Sequence, residues 1–179
     1  MDSIKSKVIR APQRSGHKVI TFADISSAGT YNAANSDKFK IIVPKGARIL
    51  ATPMIVVEAW NNIATTVTGN TGFPANSFED DGTAANGGTV LADAYHDGTT
   101  MAMKTKARYG DTAQGTAANV GTHIGKKATY VVDENNENEY SVHLTVVATG
   151  AGTATQGEAI WWVEYAFDPN IVWDQDSLV

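Results

Sequence analysis

Apolar and polar residues alternate with a period of two along most of the chain, and no ten-residue stretch carries a helical period. Residues 18–23 are a first strand candidate. In residues 38–43, Phe39, Ile41 and Val43 alternate with Lys38, Lys40 and Ile42, the signature of a strand with one buried face. Pro44-Lys45-Gly46 then fits a tight turn. Residues 48–60 are the longest apolar stretch. Ile55, Val57 and Ala59 share one face and Met54, Val56 and Trp60 the other, which predicts a central strand covered on both sides. Pro53 cannot donate to a ladder, so a bulge, an edge or a break is expected there.

Asn61-Asn62 marks a turn, and residues 63–68 read as a β-branched strand ending at Gly69. Residues 89–95 are either a short strand or a helical turn. Residues 99–108 read as a strand with Met101, Met103 and Thr105 on one face. Residues 127–133 and 139–148 form a hairpin in which Tyr140, Val142, Leu144, Val146 and Ala148 alternate with Ser141, His143, Thr145 and Val147. The last strand, 158–167, places Trp161, Val163, Tyr165 and Phe167 on one face and Ile160, Trp162 and Glu164 on the other. The sum is an all-β chain of about eight strands, an antiparallel sandwich or barrel.

The segments outside this pattern divide the chain into three parts. Residues 1–17 read as an extended N-terminal arm, residues 18–167 as the β domain and residues 168–179 as a C-terminal tail. Residues 69–88 and 110–126 are long Gly/Ala/Thr-rich loops, the first too long for a simple connection and therefore a candidate contact surface. The arm holds Lys5, Lys7, Arg10 and Arg14 around Val8 and Ile9, whereas the tail holds three aspartates around Ile171, Val172 and Trp173. Either the two ends bind oppositely charged surfaces or neighbouring copies, or both are solvated.

Composition narrows the chemistry. At 179 residues with 42% hydrophobic and 18% charged residues, the chain can bury a substantial core. A formal net charge of -5 gives no bulk attraction to phosphate, so nucleic acid is not an expected partner. The absence of cysteine excludes disulfides, thiolate metal sites and thiol nucleophiles. No apolar run approaches membrane-spanning or signal-peptide length, and synthesis in a cytoplasm without export is the simplest expectation.

Candidate catalytic chemistry is sparse. His17, His96, His123 and His143 lack the close pairing that a jelly-roll metal enzyme needs, and His143 is expected on the polar face of its strand. Glu79, Asp80 and Asp81 could offer oxygen ligands to a hard cation, but without the alternating acids of an EF-hand they read as a solvated loop. No phosphate-loop, nucleophile-elbow or dinucleotide motif occurs. Neither a cofactor nor an enzymatic activity is expected. Trp161 and Trp162 are adjacent on one strand, so one indole belongs to the core and the other faces solvent, a partner subunit or a ligand.

Several segments in order carry a family resemblance. KIIVPKGARIL is followed by MIVVEAW, then by TTVTGNTG, and finally by SVHLTVVATGAGTATQGEAIWWVEYA. This series, spanning roughly residues 38–167, resembles small virion structural proteins of tailed phages, including jelly-roll capsid decoration (cement) proteins. The resemblance implies a jelly-roll-like antiparallel sandwich, assembly as a symmetric oligomer with a homotrimer favoured, the major capsid protein as partner, residence on the capsid surface, and no catalysis. Lys5, Lys7, Val8, Ile9, Arg10 and Arg14 of the arm would then meet the shell. Phe73 and Phe78 in the long loop, with Ile171, Val172 and Trp173 of the tail, would meet sister copies. A receptor- or sugar-binding head-fibre or tail-tip module, and a head–tail connector, remain the alternatives.

Overall fold

The structure is a computed structural model and describes residues 12–62, 66–98, 101–110 and 121–167. The described residues form β1 (Gln13–Arg14), β2 (Lys18–Thr21), β3 (Gly29–Tyr31), β4 (Lys40–Ile42), β5 (Ala47–Ala51), β6 (Met54–Glu58) and β7 (Thr66–Phe73). These are followed by β8 (Leu91–His96), β9 (Arg108–Tyr109), β10 (Tyr130–Val132), β11 (Asn138–Thr149), β12 (Glu158–Trp161) and β13 (Glu164–Phe167). All ladders between these strands are antiparallel. The protein is therefore an all-β antiparallel sandwich.

Many of these strands are halves of longer ones. β1 and β2, β5 and β6, and β12 and β13 are each interrupted at one level of the fold. Hydrogen bonds from Ser15 N to the Val163 carbonyl (2.9 Å) and from Trp162 N to the Pro53 carbonyl (3.1 Å) carry the pairing across the interruption. The predicted break at Pro53 is thus present, and the neighbouring strands are interrupted beside it. Joined in this way, the first layer runs β1/β2, β12/β13, β5/β6, β9. The second layer runs β3/β4, β11, β7, β8, with β10 taking over from β7 along β11. With β10 left aside and the joined pieces counted once, eight strands remain among the described residues, in the order first, eighth, third, sixth in one layer and second, seventh, fourth, fifth in the other.

One contiguous core lies between the layers. Ile20, Ile49, Met54, Val56, Ala159 and Trp161 enter it from the first layer, and Phe39, Ile41, Val142, Leu144 and Val146 from the second. The buried hydroxyls of Thr52 and Thr71, 2.6 Å apart, tie the third long strand to the fourth, and Trp161 Nε1 donates to the Lys38 carbonyl at 2.9 Å.

The structure corrects several expectations. The fourth strand does not end at Gly69 but continues through Phe73, so the long loop is shorter than predicted. Both glycines are there for lack of a side chain rather than as breakers. A Cβ at Gly69 would sit 3.3 Å from Leu144 Cδ1 and from Met101 Sδ, and one at Gly72 would run into the Leu91 carbonyl oxygen. Residues 101–108 are not one strand: Met101 and Met103 are buried as expected, on either side of a single bridge from Ala102 to Thr68 of β7, a turn and bends follow, and Arg108–Tyr109 then pairs with β6. The choice left open at 89–95 falls to the strand β8. The first strand also begins earlier than residue 18, because Gln13 and Arg14, assigned to the arm, pair with Tyr165 and Glu164.

Replacing Gly72 by alanine forces two backbones apart, whereas at Gly69 only the ends of flexible side chains have to move. Gly72→Ala is expected to cost about 3 kcal/mol of unfolding free energy and Gly69→Ala about 1 kcal/mol. Urea denaturation of the two variants measures the difference.

Candidate interaction surfaces and polar sites

The acidic loop does not gather its carboxylates. Glu79 Oε1 lies 3.1 Å from His123 Nε2. Asp80 accepts from Lys127 Nζ at 2.7 Å and from the Tyr140 hydroxyl at 3.4 Å. Asp81 turns back to accept from the Thr83 N–H, and this bond holds its carboxyl below the ordinary value. Among the described residues no group of three His, Asp or Glu side chains could share a metal ion.

The histidines are more buried than their sequence positions implied. His96 is buried in β8, and His123 sits edge-on to Phe73 with ring centroids 4.8 Å apart. His143 is on the outward face of β11, as predicted, but that face is not open to solvent there. The chain around Ala34 crosses it and leaves a depression of about 250 Å³ whose lining includes Pro74, Val90, Ala92, His143 and Thr145. Burial, and then the nearby Lys40 ammonium, push the His143 pKa down to about 4, against the opposing effect of Glu139. The imidazole is therefore neutral at pH 7 and bonds to the Ser141 hydroxyl at 3.1 Å.

The outer face of the first layer has a different character. Val19 is paired with Ile160, Ile160 with Ile55, and Ile55 with Arg108. Directly paired residues share a face. The residues that alternate with them, Ile20, Val56, Ala159 and Trp161, point into the core, so this row of three aliphatic side chains points away from it. Val19 and Ile160 are half-buried and Ile55 is exposed. The strand over 48–60 was expected to be covered on both sides; among the described residues it is covered on one.

Trp162 continues the row. It and Trp161 do face opposite ways, as adjacency requires, yet both indoles are buried. Trp161 is in the core, whereas Trp162 is roofed by guanidinium groups. Arg14 lies 3.7 Å and Arg108 5.3 Å from the ring centroid, and the indole N–H donates to Glu164 Oε1 at 3.0 Å. The resulting surface is an aliphatic row bordered by two arginines. Neither member of the Arg14–Arg108 pair was legible as a unit, since 94 residues separate them in the chain.

Of the residues expected at interfaces, Arg14 is thus on this outer face. Phe73 is not at a surface at all. Its place at the end of β7 turns it inward against His123, where it is 1% exposed. Phe78 is half-buried and stacks on Tyr130 at 5.6 Å, with its backbone bridged to the same residue. Lys5, Lys7, Val8, Ile9 and Arg10, and Ile171, Val172 and Trp173, lie outside the described residues. Comparison with protein-family models, with curated proteins and with solved structures finds no match to this chain.

The pKa shifts divide acid destabilisation into two windows. His143 has a folded value below its unfolded 6.5, so the unfolded chain takes up the proton first. Stability is full above about pH 6.5 and falls as the pH drops towards 4, by about 3 kcal/mol when the loss is complete. Asp24 acts lower. Burial raises its pKa, but the Lys38 ammonium and the Thr21 N–H and hydroxyl outweigh burial and hold it below 3.8. Its contribution is complete above that value and is lost only as the pH falls further. Urea midpoints measured from pH 7 to pH 4 should decline in the native protein and decline much less in His143→Gln.

Proposed function

We propose that the chain is a non-enzymatic structural protein of a phage particle, a decoration protein that binds the capsid shell as a symmetric oligomer, with a trimer favoured. The observation that carries this reading is the strand order. First, eighth, third, sixth over second, seventh, fourth, fifth is the arrangement of two interlocked Greek keys in a jelly roll, an architecture that recurs in viral capsid proteins, lectins and cupins.

The side chains of the described residues favour the first of those uses. A cupin-type site needs clustered imidazoles and a carboxylate, and the described residues hold no such cluster. A sugar-binding module needs an open indole face. Among the described residues the tryptophans, Trp60, Trp161 and Trp162, are buried, and the ring of Trp162 already carries Arg14. An uncovered aliphatic row bordered by charge is what a subunit in an assembly carries. Shell binding through many copies needs only a modest interface in each, because copies linked in an oligomer bind with avidity.

In this reading the sandwich is the rigid body, and Lys5, Lys7, Val8, Ile9 and Arg10 meet the major capsid protein. Arg14 belongs to the sandwich, so the informative truncation stops before β1. Removal of residues 1–11 is expected to leave the thermal midpoint of the purified protein nearly unchanged while abolishing its attachment to particles. Co-sedimentation with undecorated particles measures the second effect. Normal attachment of the truncated protein would exclude the arm as the shell-binding element, and a gel of purified particles with about a dozen copies instead of hundreds would favour a connector.

A further inference from the structure

We propose that the outer face of the first layer, the row Val19–Ile160–Ile55 with Arg14 and Arg108 at its border, receives residues 168–179 of a second copy of this chain. The inference rests on the reading of the protein as one that assembles with itself, and it assigns the surface and the segment that do so.

Chemical complementarity carries the argument first. The face offers three aliphatic side chains beside two guanidinium groups over one indole. Residues 168–179 offer Ile171, Val172 and Trp173, flanked by Asp168, Asp174 and Asp176, with no basic residue. Apolar side chains of the segment cover the row, and a flanking carboxylate meets the arginine pair in the forked geometry that guanidinium groups favour. In an extended segment alternate side chains share a side, so Ile171 and Trp173 form the pair that would lie on the row.

Reach favours a second copy over the same one. Ile160 lies seven residues before Phe167 on the same hairpin arm, roughly 23 Å of extended chain. Residues 171–173 reach at most about 14–21 Å from Phe167 even when fully extended. They must also reverse direction to return, so the triplet falls short of the row on its own molecule. A neighbour can present its face to the triplet without that reversal.

The lack of cysteine makes a direct test clean. Val19→Cys is a near-isosteric change on the face, and Gln175→Cys stands beside the apolar triplet without altering it. The two full-length variants, one carrying a mass tag, are mixed, oxidised and run on a non-reducing gel without any particles present. A mixed disulfide dimer, absent when either variant is oxidised alone, is expected. An internal disulfide in the doubly substituted chain, with no mixed dimer, would place the segment on its own face and overturn the proposal. So would the absence of any cross-link while circular dichroism shows both variants folded. Ile55→Asp, at an exposed position that folding does not need, should raise the dissociation constant for self-association measured by analytical ultracentrifugation at least about tenfold; an unchanged constant would also overturn it. Failure of the two readings is separable: cross-linking in trans without particle binding sinks the decoration reading alone, and particle binding without trans cross-linking sinks this one alone.

Discussion

The alternation along β11 is the constraint on which the rest of the architecture depends. Its inward residues Tyr140, Val142, Leu144, Val146 and Ala148 are all buried, and its two edges are paired by four other strands, β3 and β4 along one and β7 and β10 along the other. A slip of one residue in any of these ladders would turn the whole inward set to the outside. The register is held by shape as well as by hydrophobicity. Gly69 is the one residue of β7 over which Leu144 and two methionines close, and Gly72 lets the Leu91 backbone approach. The layers are then joined by a small number of directed bonds, the Thr52–Thr71 hydroxyl pair and the Trp161 indole N–H among them.

Period-two alternation made much of this legible in advance. The inward sets of β4, β11 and β12, the break at Pro53 and the opposite facing of Trp161 and Trp162 all follow from side chains pointing alternately up and down a pleat. What alternation could not show was which glycines are turns and which are close approaches. Gly69 and Gly72 look like punctuation in a sequence, and only the neighbouring strand explains them. Nor could it separate a continuous strand from a single bridge followed by a turn, so the strand expected over 99–108 is broken among its described residues although Met101 and Met103 are buried.

The candidate surface was half legible. A strand apolar on both faces is visible in residues 54–57, but the sequence cannot say whether the second face is covered by the same chain. Arg14 was placed among contact residues because it sits in a basic arm. Its partner Trp162 and its companion Arg108 come from the two distant strands that the fold brings to it, which is why local patterning missed the group. His143 shows the converse error. Its position on the polar face was right, yet a crossing segment buried it, and burial rather than any nearby carboxylate sets its protonation. Two polar atoms remain a cost of the packing. Trp60 Nε1 and the Tyr95 hydroxyl are buried without a hydrogen-bond partner, and although Thr129 neighbours Tyr95 its geometry does not satisfy the phenol.

The sheet margins are short and interrupted. β1 and β9 have two residues each, β2 has four, β3 and β4 have three each, and β8, the longest, has six. Long flat margins are templates along which identical chains zip into fibres. Described ladders that end in such fragments offer identical chains little backbone template, so crowding at high density is not turned into growth sideways.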